Sequence, residues 1–184
     1  MSISDAGEQT DGRPVVVTAL IAHPDESERA ALRAVLDSGE RMRVVAVAGD
    51  GGEAMALAHR LHPAVTLLDD QVTTPDGQDL VATLARRSRV IILTGATAPR
   101  AITSLLRRPV RGCLVYGQFD AADLLGAVRA VAAGLGWLSP VAVAAASWQL
   151  RNRAGAAVTL DPPARGHHTS SSALSRNPRA ARRA

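Results

Sequence analysis

The chain has 184 residues, 47% of them hydrophobic, 21% charged and only 2% aromatic, with a formal net charge of +4. That length and apolar content support one domain of ordinary size plus a tail, and the single cysteine, Cys113, excludes an internal disulfide and a Cys-rich zinc site. All basic charge is arginine, and the scarcity of aromatic residues argues against a stacking platform for single-stranded nucleic acid.

Residues 1–13 are polar and acidic, unlike a signal peptide, and read as a flexible N-terminal segment. No stretch approaches the ~18 uninterrupted apolar residues of a membrane span, so no membrane contact and a cytoplasmic location are expected. Residues 15–22 form an apolar run of strand length, and 27–36 follow with Ala30, Ala31, Leu32, Val35 and Leu36 at helical spacing. Residues 43–48 read as a second strand, the turn Gly49-Asp50-Gly51-Gly52 leads into a helix over 53–61, and 64–68 is a third strand. A loop with Pro75-Asp76-Gly77 precedes a helix near 78–86; 90–93 is a fourth strand, and 99–106 is a helix opened by proline. Residues 112–115 are a fifth strand, and 121–133 a fifth helix with Asp120 as its cap. The domain should therefore occupy 14–135, followed by a linker helix over 136–150.

Five short apolar strands alternating with helices predict an α/β fold, because parallel strands need crossovers and those crossovers carry helices on both faces of the sheet. The expected architecture is flavodoxin-like, a five-stranded parallel sheet in the order 2-1-3-4-5. The ends of the first and third strands are then neighbours at the topological switch point, which brings His23 close to Asp69.

Three features lie in register over 15–140: Gly49-Asp50-Gly51-Gly52-Glu53-Ala54, Asp69 eight residues before Gly77, and Gly134-Leu135-Gly136-Trp137-Leu138-Ser139-Pro140. In these the chain resembles the receiver domain of NarL/FixJ-type response regulators, with its CheY-like fold. The resemblance places Asp69 where that family carries its phospho-accepting aspartate and Thr94 where it carries a switch hydroxyl. It also implies an acidic pair closing the first strand and a lysine after the fifth. Here the register puts His23-Pro24 at the acidic pair, with Asp25 and Glu26 following too late, and Tyr116 at the lysine.

Phosphoryl transfer to a carboxylate depends on a hard cation, and Mg²⁺ wants near-octahedral oxygen ligands that His-Pro does not supply. A tyrosine offers a neutral hydroxyl where a lysine would offset phosphate charge. The expectation is a degenerate phosphoacceptor pocket of Asp69, Asp70, His23, Asp25, Thr94 and Tyr116, with no catalytic residue, no metal and no cofactor. Asp69, Asp70 and Asp25 could still gather around a cation in another arrangement. Thr94, without a phosphoryl group to hold, should bond nearby backbone. The resemblance thus implies an atypical receiver in bacterial two-component signalling and transcription regulation, independent of phosphorylation and acting through dimerisation, a small ligand or a partner protein.

The homodimer surface implied is the fourth helix, fifth strand and fifth helix. Ile102, Leu105, Leu106, Leu124, Leu125, Val128 and Val131 supply its apolar positions, and Arg107, Arg108, Arg111 and Arg129 lie opposite Asp120 and Asp123. The family usually continues into a LuxR-type helix-turn-helix domain; the 34 residues after Leu150 are too few and too polar for one, so DNA contact by that route is not expected.

Residues 151–184 carry seven Arg against the single Asp161, and after Asp161 there are hardly any apolar residues, which predicts a disordered basic tail. Arg151, Arg153, Arg176, Arg179, Arg182 and Arg183 could bind nucleic acid or another polyanion without sequence preference; a solvated end without a task is the plainer alternative. A further alternative is enzymatic. Ala22-His23-Pro24-Asp25-Glu26 is similar to the motif of LmbE/PIG-L-type zinc deacetylases, and His59 and His62 offer two more ligands. Against it, the motif runs straight into a helix and lacks the glycine-rich turn of those enzymes.

Overall fold

A computed structural model describes residues 15–74 and 76–158, with the side chains of 154–158 excepted. The elements alternate as β1 Val17–Ala22, α1 Glu26–Ser38, β2 Met42–Ala48, α2 Gly51–Leu61, β3 Val65–Asp69, α3 Leu80–Ala85, β4 Arg89–Thr94, α4 Pro99–Leu106, β5 Gly112–Val115, α5 Ala121–Ala132, β6 Trp137–Leu138 and α6 Pro140–Val158. All strand pairs are parallel, in the order β2-β1-β3-β4-β5-β6.

The period-two alternation of strand side chains divides the core between the two faces of the sheet. On one face Leu20, Leu68 and Ile92 pack against Ala54 and Ala58 of α2, Leu84 of α3 and Ile102 of α4. On the other, Ile21, Leu67, Ile91 and Leu93 meet Leu32 and Leu36 of α1 and Leu124, Val128 and Val131 of α5. Each of these buried Val, Leu and Ile side chains contributes about 1.5–3 kcal/mol of apolar burial. Helix starts follow the sequence closely: Asp25, Asp50, Asp79 and Asp120 each accept a backbone N–H in the first turn of the helix they precede. Asp120 and Asp123 complete a reciprocal capping box.

Two expectations need correction. The sheet has six strands, because Trp137–Leu138 adds to the outer edge of β5, with Trp137 N–H donating to Arg111 O at 3.0 Å. The Trp137 ring lies over Gly126, where a Cβ would come within 3.2 Å of it, so α5 carries a glycine at the contact. The helix after Ser139-Pro140 also runs past residue 150 to Val158. It packs on α4 and buries Ala142 and Ala145. Arginines at 151 and 153 resemble the start of a tail in the sequence, but both are exposed residues of this helix. Residues 1–14 and 159–184, including Arg176, Arg179, Arg182 and Arg183, lie outside the described residues, and with them the expectations of a flexible start and a disordered end.

Candidate functional site

The strand order places the ends of β1 and β3 side by side, and β5 completes the site from beyond β4. Asp69, the last residue of β3, is 3% exposed. Its Oδ1 accepts the backbone N–H of Gln71 at 2.9 Å, and its Oδ2 accepts the Tyr116 hydroxyl at 2.8 Å. His23 Nε2 stands 3.5 Å from the same Oδ2. The His23 and Tyr116 rings meet edge to face with centroids 6.3 Å apart, and Phe119 lies 6.0 Å beyond Tyr116. The carboxylate is thus roofed by rings where a phosphorylation site would be open.

His23 is held in its orientation by its own loop. The Asp25 N–H donates to His23 Nδ1 at 3.0 Å, which assigns the ring proton of the neutral form to Nε2, the nitrogen facing Asp69. Arg29 reaches back from α1 and donates to the carbonyls of His23 at 2.7 Å and Pro24 at 2.9 Å. A guanidinium therefore secures the loop at which the acidic pair was expected.

Asp70 forms a second, separate knot. Its Oδ2 accepts the Thr94 hydroxyl, and its Oδ1 accepts Gln71 Nε2 at 2.9 Å. Thr94 does bond backbone as expected, accepting the Ala96 N–H at 3.0 Å, but its proton goes to Asp70. Asp25 does not join either knot. It is exposed and caps α1, and the Glu28 N–H, then that of Ser27, hold its carboxyl below the ordinary range. Burial, followed by the hydrogen bond to Asp69, pushes the Tyr116 phenol far above its ordinary value, so it stays a donor. Burial, and after it Asp70, push the Cys113 thiol up to about 11.

This donor set does not fit the magnesium ion of a phosphorylation site. All four side-chain oxygens of Asp69 and Asp70 already accept a hydrogen bond from within the chain, and among the described residues no three His, Cys, Asp or Glu side chains stand together as ligands. The deacetylase arrangement is not assembled either. α2 starts at the strand-end side of the sheet and runs away from it, carrying His59 and His62 to the opposite edge from His23, while Asp25 caps α1 and Glu26 lies in its first turn. His23 and Tyr116 meet at Asp69, and Thr94 meets the neighbouring Asp70.

A family model for the response regulator receiver domain matches residues 19–129. The chain belongs to the response regulator receiver family. This receiver is 34% identical over 127 residues to the nitrate/nitrite response regulator protein NarP of Escherichia coli (strain K12), a match covering 67% of this chain and 58% of that one. It is 28% identical over 131 residues to protein-glutamate methylesterase/protein-glutamine glutaminase 6 of Anaeromyxobacter dehalogenans (strain 2CP-C), covering 66% and 37%. The chain thus spans about half the length of these curated relatives. Among solved structures it is similar to that of two RcsB dimers bound to two parallel DNAs, with a TM-score of 0.61 and 20% identity over 70% of this chain and 67% of that one. This likeness shows the same receiver fold.

The sequence reading missed Arg29, Gln71 and Phe119. Gln71 has a recognisable signal, since an aspartate commonly accepts the N–H two residues on in a turn. Arg29 and Phe119 lie far along the chain from Asp69, and no local spacing marks them.

Proposed function

We propose that this protein is an atypical receiver of bacterial two-component signalling that works without phosphorylation at Asp69. It acts in the cytoplasm through dimerisation, a small ligand or a partner protein. The observation that supports this best is the Tyr116 hydroxyl on Asp69 Oδ2. The oxygen that would attack a phosphoryl donor is held by a neutral donor, with no cluster of metal ligands among the described residues and no lysine in the chain to balance incoming charge. Thr94, the switch hydroxyl of the resemblance, is held by Asp70, so its orientation is set with no phosphoryl group present.

The test is intact-mass spectrometry after incubation with acetyl phosphate and Mg²⁺, beside Asp69→Asn. No phosphoryl adduct on either protein is the expected result, and an adduct that vanishes with Asp69→Asn would overturn the proposal.

Dimerisation needs a narrower surface than the sequence suggested. Ile102, Leu124, Val128 and Val131 are core residues, β6 pairs with the outer edge of β5, α6 packs on α4, and Arg108 pairs with Asp79. Arg129 and the ends of Asp120 and Asp123 remain exposed on α5, and isologous contact of this helix is the pairing we propose. Sedimentation showing only monomer at tens of micromolar would refute it.

A further inference from the structure

Charge is distributed unevenly over the fold. Residues 15–79 contain eleven Asp and Glu against five Arg, whereas residues 80–153 contain ten Arg against only Asp120 and Asp123. The cationic half includes β4, α4, β5, β6 and α6. Here α6 is anchored by its first turns, through Ala142 and Ala145, and its later turns border a groove of about 600 Å³ shared with α4 and the starts of β5 and β6. The apolar part of its lining is Leu106, Val110, Trp137, Leu138 and Leu150. Arg107, Arg111 and Arg153 stand beside it. All three are exposed, and none enters an ion pair among the described residues.

That combination selects its occupant. A polyphosphate or a nucleic acid backbone would satisfy the guanidinium groups and leave the apolar lining in water. A neutral apolar molecule would cover the lining and place the arginines against carbon. A ring system or acyl chain bearing one carboxylate, sulfonate or phosphate head meets both demands, because guanidinium forks bind such heads through paired hydrogen bonds. Grooves of this size with mostly apolar lining and a few charged groups are the usual form of small-molecule sites. We propose that the α4–α6 groove binds a small amphipathic organic anion. The ligand touches α4, the sheet edge and the later turns of α6 at once, so its binding clamps α6 against the body. The inference goes beyond the reading of Asp69 and holds whichever way the acetyl phosphate experiment falls.

Anilinonaphthalene sulfonate is a suitable probe, because Trp137 lines the groove, Trp148 lines the adjoining cleft, and the chain has no other tryptophan. Titrated into the intact protein, it should bind saturably at one site, with energy transfer from tryptophan. Arg107→Gln combined with Arg111→Gln should weaken binding about tenfold or more with thermal unfolding unchanged. Arg86→Gln combined with Arg87→Gln, on the same cationic half but outside the groove, should leave it unchanged. Uncharged anilinonaphthalene should bind far more weakly than the sulfonate. Non-saturating binding, or equal weakening by both pairs of substitutions, would overturn the proposal. So would an acidic amphipathic peptide that binds while the sulfonate does not, since the groove would then belong to a protein partner.

Discussion

The Asp69 pocket and the α4–α6 groove use opposite logic. In the pocket each carboxylate oxygen has a donor from the chain itself, so an incoming ion or phosphoryl group competes with a phenol, a threonine hydroxyl, a glutamine amide or a backbone N–H. In the groove the guanidinium groups and an apolar lining face water, and a ligand of the right chemistry adds contacts without breaking any. The inherited site of the fold is closed from within, while a surface away from it is left open. Position in a fold therefore indicates where a family keeps its chemistry, and the donor count around each oxygen indicates whether that chemistry remains.

The largest expected effect reverses the closed state. Replacing His23 and Pro24 by aspartates and Tyr116 by lysine together supplies an acidic pair and a cation at the positions where the resemblance calls for them. Mg²⁺-dependent labelling of Asp69 by acetyl phosphate should then appear, whereas Tyr116→Lys alone should give none, because the cation ligands are still missing. Labelling of the single variant would show that the phenol was the whole obstacle. Failure of the triple variant would place the obstacle in Arg29 or in the Asp70–Thr94 knot.

Next in size is the cost of emptying the closed pocket. Asp69→Ala leaves the Tyr116 hydroxyl and the Gln71 N–H without their acceptor, at about 1–3 kcal/mol for each donor stranded from water. Urea unfolding should show a loss of roughly 2–6 kcal/mol, with Asp69→Asn losing less. In the open groove Arg111→Gln removes no internal partner and should stay within about 0.5 kcal/mol of the parent. Equal effects at the two places would abolish the contrast.

A smaller effect tests the phenol itself. Tyr116 is the only tyrosine, so alkaline absorbance reads it directly. Its folded-state value is raised above the ordinary 10.0, so the unfolded chain gives up its proton first. Stability is then fully present below pH 10 and falls as pH rises above it, by at most about 1.4 kcal/mol per pH unit and by less to the extent that water reaches the half-buried ring. Tyr116→Phe should flatten this alkaline limb. Phenolate absorbance appearing near the ordinary value in folded protein would mean that the hydroxyl does not hold Asp69.

The two regions also differed in how far the sequence revealed them. The order of β1 to β5 and the approach of His23 to Asp69 were readable, because apolar runs of strand length alternate with helical spacing and the topology follows from the crossovers. Tyr116 was recognisable as a substitution, but its bond to Asp69 spans 47 residues and depends on the ring angle set by packing on His23 and Phe119. The groove was not readable. β6 is two residues long, too short to show a period, and α6 is rich in alanine, so its contact with α4 through Ala142 and Ala145 leaves no apolar stripe.

The smallest effect lies between the two regions, where Arg108 of the α4–β5 connection pairs with Asp79, the cap of α3. Both side chains are partly exposed, so the pair contributes on the order of 0.2–1 kcal/mol and less in high salt. Its signature is in the acid limb. The Arg108 guanidinium, and after it the Ala82 N–H, hold the Asp79 carboxyl below its ordinary 3.8. Stability from Asp79 is therefore present above that value and is lost as pH falls through the lower folded-state value. Arg108→Gln should reduce this loss while leaving the part due to the helix cap, and salt should reduce it in the parent but hardly in the variant. A variant whose acid unfolding keeps the parent's salt dependence would show that Asp79 serves only as a cap, and that α3 and α4 are joined by the core alone.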